Sequence, residues 1–325
     1  VGGALDPAVA TGRNLVRRAL ADLPAGSPLV VGVSGGADSL ALAAVTEFVA
    51  GQESFALTAV VVDHGLQPGS DEVAATAVRR LASVGVPATV RRVDVGRTGG
   101  PEAAARSARR AALAAAADEA GAAAVLLAHT LDDQAETVLL GLGRGSGPRS
   151  IAGMAPRDGL WRRPLLTLRR SDTERICRAS GLEWWSDPHN VDPAFRRSRV
   201  RAEVVPVLED VLGGGVAEAL ARTADQVRAD GALLDALAAD VAEPHDVAVL
   251  AALPGALRSR VLRRIALEAG ASADELSSTH LLELDRLVTD WHGQRRIELP
   301  GRVSVTRART SGGTSLTFAA TPVGG

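Results

Sequence analysis

The sequence predicts a doubly wound α/β domain followed by a mainly helical α+β domain. Two observations carry this. Four apolar runs of strand length alternate with helix-length segments between Leu29 and Leu140, and the texture changes after the glycine triplet Gly213, Gly214 and Gly215. Continuous apolar strands separated by helices mark a parallel sheet covered on both faces. A chain of 325 residues is long enough for about two domains, here divided as 1–212 and 213–325.

The strands are expected at 29–33, 57–62, 88–93 and 124–128, and the helices between and after them at 38–50, 70–84, 102–120 and 131–142. The third of these helices is so rich in alanine that it packs closely if it packs at all, and propensity favours helix in either case. From 144 to 201 the sequence reads as turns and arginine clusters. Beyond the glycine hinge, 216–241 shows long helical periodicity, 254–270 and 278–291 read as shorter helices, and 296–299, 302–306 and 315–318 read as β pieces of a small hairpin. The tail from Thr321 reads as disordered.

Composition removes several chemistries. All 36 basic residues are arginine, and the chain has neither lysine nor tyrosine. An intrinsic Schiff base, a pyridoxal-phosphate site and a Walker A phosphate clamp all need lysine. The single cysteine, Cys177, excludes an intrachain disulfide, a two-cysteine relay and a zinc site built mainly on thiolates. Arg13, Arg17, Arg18 and Asp22 interrupt the first thirty residues, which therefore lack the apolar core of a signal peptide. No uncharged apolar run approaches the roughly 20 residues of a membrane span. A cytoplasmic protein with no membrane partner is expected, and a homodimer is compatible with everything in the sequence.

The first strand runs directly into Ser34-Gly35-Gly36-Ala37-Asp38-Ser39. Two glycines at the carboxyl end of a strand let successive N–H groups and a helix N-terminus converge on one anion. A carboxylate beside a polyphosphate would repel it, so Asp38 makes sense there mainly if Mg²⁺ bridges the two. The alternative is that Ser34 or Asp38 merely caps a helix. The complete string after the first strand of a doubly wound sheet, at the edge where ligands bind, favours the phosphate cradle.

This string resembles the pyrophosphate loop of the ATP-pyrophosphatase, or PP-loop, superfamily, which has the adenine nucleotide alpha hydrolase-like fold and cleaves ATP between its α and β phosphates. Later segments narrow the resemblance: Asp63-His64-Gly65-Leu66 with Ser70, His129 followed by Asp132-Asp133-Gln134-Ala135-Glu136-Thr137, Arg144-Gly145-Ser146-Gly147, and Ile151-Ala152-Gly153-Met154. With Arg163-Pro164-Leu165-Leu166, Asp187-Pro188-His189-Asn190 and Phe195 through Arg201, they make residues 27–210 similar to the tRNA(Ile)-lysidine synthetase family. Beyond that stretch, Ile297-Glu298-Leu299-Pro300-Gly301 is reminiscent of the family's substrate domain. Gln67, Thr130-Leu131 and Ser198 depart from the family's usual residues.

The resemblance implies that 1–212 is an ATP-binding catalytic domain and 213–325 a linker helix with a tRNA substrate domain. The implied reaction is ATP-dependent ligation of free L-lysine to C2 of the wobble cytidine in a tRNA(Ile) with a CAU anticodon, by way of an adenylated cytidine. ATP would sit on Ser34, Gly35, Gly36, Ala37, Asp38 and Ser39, with Mg²⁺ on Asp38. Asp63 and His64 could bind adenosine or simply close a strand end. Asp133 and Glu136, spaced i, i+3 near the strand ends, match acidic positions of the lysine and adenylation site. An acid at this place also suits a first helical turn for dipole reasons alone. Arg106 and Arg109 follow Glu102 in the family's Glu-x-x-Ala-Arg-x-x-Arg pattern, where a guanidinium fork could hold the lysine carboxylate or a phosphate.

Net charge is −2, so an RNA surface must be local. Residues 144–201 carry thirteen arginines against six acids. Arg144, Arg197, Arg199 and Arg201 are the tRNA candidates. Trp184 or Trp185 could stack on a base, although one of them is expected in the core. Cys177 reads as a small buried residue. A tRNA thiolase of the same superfamily and a non-catalytic ATP- or RNA-binding module are the competing readings, the first disfavoured by a single cysteine.

Overall fold

The computed structural model describes residues 5–65, 69–96, 101–145, 147–187, 192–294, 296–310 and 313–320. Gln67, Pro188, His189, Asn190 and the tail from Thr321 lie outside the described residues, as does the side chain of Glu102. Contacts divide the chain into two compact units, one of 1–140 with 153–222 and the other of 141–152 with 223–325.

The first unit opens with α1 (Pro7–Leu20), capped by Asp6, whose carboxylate accepts the Ala8 N–H at 2.7 Å. Then follow β1 (Pro28–Val33), α2 (Ala37–Glu53), β2 (Ala56–Asp63), α3 (Ser70–Ser83), β3 (Ala88–Arg92), α4 (Pro101–Ala120), β4 (Ala124–Leu126) and α5 (Leu131–Arg144). The alternation expected from the apolar runs is therefore present element by element.

The arginine-rich stretch holds more regular structure than its composition suggested. It contains α6 (Pro148–Ile151), β5 (Arg157–Asp158), β6 (Trp161–Arg162), α7 (Arg170–Ala179) and α8 (Arg196–Arg199), then a π-helical turn (Val200–Val204) running into α9 (Val205–Val211). The reading of 144–201 as turns alone is corrected. In α7 the buried side chains are Thr173, Ile176 and Cys177, at helical spacing, and abundant arginine on the other positions masks that short stripe.

Strand order is β3-β2-β1-β4-β6-β5. Every pair is parallel except β5 with β6 at the edge. Period-2 alternation sorts the residues of β1 between two cores. Leu29, Val31 and Val33 face a cluster with Val16 and Leu20 of α1, Leu40 and Val45 of α2, and Ile176 of α7. Val30 faces the opposite side, with Leu113, Ala116 and Ala117 of the alanine-rich α4. The sheet is thus covered on both faces, as a parallel sheet must be.

The second unit contains most of α10 (Val216–Ala239), then α11 (Val247–Ala252), α12 (Gly255–Glu268), α13 (Ser278–Thr289) and the antiparallel sheet β7 (Ile297–Leu299), β8 (Val303–Thr310) and β9 (Gly313–Ala320). Leu250, Val261, Leu262, Ile265, Leu284 and Leu287 pack with Val303 and Val305 into its own core. The expected helix-plus-hairpin composition is observed. α11 is an addition, because a six-residue helix gives too few turns for a periodicity.

Candidate active site

Strand order reverses at β1. From it the chain proceeds outward through β2 and β3 on one side, and β4 lies on the other. Connections leaving the carboxyl ends of β1 and β4 diverge there and leave a crevice, the usual ligand site of an open α/β sheet. The glycine loop leaves β1 and the acidic helix α5 follows β4, so topology alone brings the two motifs together.

In the loop, Gly35 has φ +82, a left-handed value that side chains rarely tolerate, and Gly36 is the extended N-cap of α2 with no side-chain cap. Ser39 ties the turn: its Oγ accepts the Ser34 N–H at 3.1 Å and donates to the Gly36 carbonyl at 2.9 Å. The Trp185 N–H donates to the Gly35 carbonyl at 3.0 Å, and the Cys177 thiol to the Ala37 carbonyl at 3.2 Å. Loop carbonyls are thereby engaged from outside, a geometry that suits a turn whose N–H groups serve an anion. Cys177 is buried, its thiol pushed up to about 12 by burial and then by Asp38, and it is no nucleophile. Trp184 packs at the edge of the core with the Arg178 guanidinium 5.6 Å from its ring centroid.

Asp38 points from the first turn of α2 toward α7. Its Oδ1 accepts from the Thr173 hydroxyl, and its Oδ2 lies 3.3 Å from Arg170 Nε. Burial raises its pKa above the ordinary value, with Arg170 and Thr173 opposing and Asp133 adding repulsion. Arg170 also reaches Asp133 Oδ1 at 3.5 Å, so one guanidinium bridges the carboxylates of the two motifs. Neither Arg170 nor Thr173 stands out in the sequence. The signal that could have found them is the Thr173, Ile176, Cys177 stripe, which puts residue 170 one turn ahead on the same face.

The three acids of α5 have separate surroundings. Asp132 accepts the Arg170 backbone N–H at 2.7 Å and holds the start of α7. Asp133 Oδ2 accepts from the Thr130 N–H at 2.9 Å and the Thr130 hydroxyl at 3.1 Å, the geometry of a cap on α5. Its other oxygen faces Arg170 and, at 3.6 Å, Arg201. Burial alone would raise the Asp133 pKa, but His129, Arg170, Arg197 and the Thr130 N–H lower it. Burial takes His129 down to about 4, so at neutral pH it is an uncharged imidazole and the arginines keep Asp133 ionised. Glu136 is 1% exposed and meets a bidentate fork from Arg201, with Nε–Oε1 at 2.6 Å and Nη2–Oε2 at 3.1 Å. Arg197 Nε stands 3.0 Å from Glu136 Oε2 without the alignment of a hydrogen bond, while its Nη2 donates to Thr137 Oγ1 at 2.6 Å.

Arg197 and Arg201 are four residues apart on the α8 and π-helical segment, which sets both on the face toward α5. Arg199 faces away and makes an exposed fork with Glu203. Arg106 and Arg109 are exposed on α4. Arg109 is close enough to Arg106, Arg197 and His64 for mutual repulsion, and the charge of Arg106 reaches His129. Arg144, exposed at the end of α5, belongs to the second unit. Asp63 closes the end of β2: its Oδ1 accepts the Gly65 N–H at 2.9 Å. Although burial acts to raise its pKa, that bond, Ser70 and Arg92 hold it below the ordinary value. His64 beside it is half-buried, its Nδ1 has no partner among the described residues, and burial and Arg109 lower its pKa.

A cleft of about 290 Å³ opens beside Glu136, Arg170 and Arg201, with Asp132, Ser171 and Val205 completing much of its wall. Gln134, whose side chain turns the other way, donates to the Met154 carbonyl at 2.9 Å and accepts the Met154 N–H at 2.7 Å. Gly153, with φ +62, lies so close that a Cβ there would be 2.8 Å from the Gln134 carboxamide oxygen, which accounts for the glycine in Ile151-Ala152-Gly153-Met154.

Two protein families match the chain. Residues 12–208 match the PP-loop domain family, and residues 246–313 match the family described as the TilS substrate binding domain. The chain is 55% identical over 304 residues to the tRNA(Ile)-lysidine synthase of Thermobifida fusca, covering 91% of this chain and 94% of that one. It is 53% identical to that of Leifsonia xyli, covering 86% and 87%, and 50% identical to that of Salinispora tropica, covering 94% and 95%. Among solved structures, the U34-tRNA thiolase NcsA from Methanococcus maripaludis matches with a TM-score of 0.57 at 19% identity over 68% of this chain and 79% of that one, a likeness of fold. With these matches spanning both units, the chain belongs to the tRNA(Ile)-lysidine synthase family of PP-loop proteins.

Proposed function

We propose that this protein ligates L-lysine to C2 of the wobble cytidine of a tRNA(Ile) with a CAU anticodon, at the expense of ATP, in the cytoplasm. The observation that carries the reading is the Arg170 bridge between Asp38 of the glycine loop and Asp133 of α5. With the two motifs joined by one guanidinium, a nucleotide on the loop and an amine at the acidic helix would meet in one crevice.

The chemistry needs two things from the chain. The cytosine 2-oxo group leaves poorly, so it first attacks the α-phosphate of ATP and pyrophosphate departs. The α2 N-terminus and the N–H groups of Gly35 to Ser39 supply donors for the charge that develops on the phosphates. In the second step the lysine side-chain nitrogen attacks C2 and AMP leaves. That amine has a pKa of about 10.4 in water and must lose a proton. In this reading Asp133 and Glu136 attract the ammonium group and accept its proton, and Arg109 and Arg106 hold the lysine carboxylate.

Asp38 fits a Mg²⁺ ligand: its carboxylate sits at the mouth of a loop without Cβ atoms at Gly35 and Gly36, and a cationic group already stands between it and Asp133. Mg²⁺ binds through one or two carboxylates and substrate phosphates and neutralises phosphate charge. Arg197, Arg201, Arg199 and Arg144 are the proposed tRNA contacts. Sulfur transfer by this chain's own thiol is disfavoured, because Cys177 is buried and hydrogen-bonded to the loop.

The direct test is incorporation of labelled lysine into a CAU-anticodon transcript, which is expected to require both ATP and tRNA. Incorporation without ATP, or none with a correctly folded transcript, would refute the reading. Asp38→Ala should abolish it.

A further inference from the structure

The second unit contains a basic cluster far from electrical balance. Asp235 of α10 accepts from Arg149 of α6 at 2.5 Å and from Arg260 of α12 at 2.9 Å, both through the same Oδ1. Arg263, one turn beyond Arg260 on α12, is half-buried. Among the described residues it makes no hydrogen bond or ion pair; burial opposes its charge, Arg149 and Arg260 repel it, and Asp235 attracts it. Two guanidiniums from separate elements thus share one carboxylate from a third, and Arg263 stands within reach of their charge.

Folding alone does not explain this arrangement. A half-buried guanidinium that gains no ion pair and faces two like charges costs stability, and a neutral side chain would fill the same place without that cost. Such a cluster is kept where an outside anion completes it. Its surroundings leave room for one. Arg149 is 47% exposed, and Gly231, one turn before Asp235, presents no side chain toward the Arg260 guanidinium, which lies 3.8 Å from where a Cβ would stand. Arg228 donates to the Ala152 carbonyl at 2.5 Å and fixes the α6 segment to α10, so Arg149 is held in place.

We infer that Arg149, Arg260 and Arg263 form a phosphate-binding subsite on the second unit, and that it takes the sugar-phosphate backbone of the tRNA. The inference rests on the tRNA-ligase reading above and extends it to residues with no role there. Phosphate contacts position an RNA without reading its sequence, and each releases counterions. The subsite therefore contributes affinity that weakens with salt and does not depend on the anticodon.

Binding of the full chain to labelled CAU-anticodon transcript, measured by fluorescence anisotropy over a KCl series, tests it. Arg263→Gln is expected to weaken binding about tenfold at low salt and to make the log–log salt slope shallower by about one. Its melting temperature should hold or rise, because a repulsion is removed. Asp235→Asn, which removes the carboxylate that opposes the three cations, should tighten binding although it lowers the melting temperature. A salt slope unchanged in Arg263→Gln overturns the inference, and so does weaker binding by Asp235→Asn, which would make the cluster structural. If Arg263→Gln fails to fold, Arg149→Gln on the exposed side takes its place: a shallower slope supports the subsite and an unchanged one overturns it. A parent chain that binds no tRNA defeats the ligase reading itself, and the subsite with it. Binding by the parent with unaltered variant slopes defeats the subsite alone.

Discussion

Two arginine clusters, one in each unit, are built in opposite ways. In the first, Arg170, Arg197 and Arg201 meet Asp38, Asp133 and Glu136, three cations to three carboxylates. In the second, Arg149 and Arg260 share Asp235, and Arg263 beside them makes no ion pair among the described residues. A balanced, largely buried set satisfies itself and holds each carboxylate at a fixed place, which chemistry at a defined atom requires. An unbalanced, partly exposed set keeps its attraction for an external anion. The net charge of −2 conceals both arrangements.

The largest effect should come from Glu136→Gln, which keeps the shape of the buried side chain and removes its charge. Lysine incorporation is expected to fall by about 10²–10⁴, the usual contribution of a positioned acid–base group, while nucleotide still binds in an equilibrium titration. Normal ligation by this variant would end the assignment and, with it, the idea that the balanced set serves catalysis.

A stability effect of intermediate size separates the neighbours on α5. Gln134 lies between Asp133 and Glu136 in sequence, yet its carboxamide satisfies both polar groups of Met154. Gln134→Ala removes two buried hydrogen bonds to Met154, at about 0.5–1.5 kcal/mol for each. Urea denaturation should report a loss of about 1–3 kcal/mol. A loss below that range would mean that the 153–154 segment finds other partners.

Much of this arrangement was legible in the residues. The four strands and the helices between them follow from apolar runs, because a sheet buried on both faces needs continuous hydrophobic strands. Ser34 to Ser39 and Asp133 to Glu136 were legible as motifs, and a doubly wound order puts both at strand ends. What was hidden is tertiary. Arg170 lies over 30 residues from Asp133 and over 130 from Asp38, and no local pattern distinguishes it from the other arginines of 144–201. The separate duties of Asp132 and Asp133 are likewise set by α7, a helix too short and too polar to stand out. Arg199 shows the converse: it shares a motif with Arg197 and Arg201, but helical geometry turns it toward Glu203.

The smallest effect compares two carboxylates within the balanced set. Burial raises the Asp38 pKa above its ordinary 3.8 despite Arg170 and Thr173. Asp133 also meets burial, but His129 and the arginines lower its pKa from the same 3.8. A native carboxyl with a raised pKa binds more protons than the unfolded chain, so its favourable contribution is present at low pH and is lost as pH rises through the native value. A lowered one behaves oppositely: its contribution is present above the unfolded value and is lost as pH falls through the native value. At neutral pH Asp38→Asn should therefore raise the melting temperature even as it stops ligation, and the gain should shrink toward acid pH. Asp133→Asn should lower it, and that loss should also shrink toward acid pH. Thermal melts of both variants at neutral and acidic pH check the signs. Two shifts of the same sign would mean that the site does not divide its carboxylates into one held against its preference for the proton and one held ionised by its neighbours.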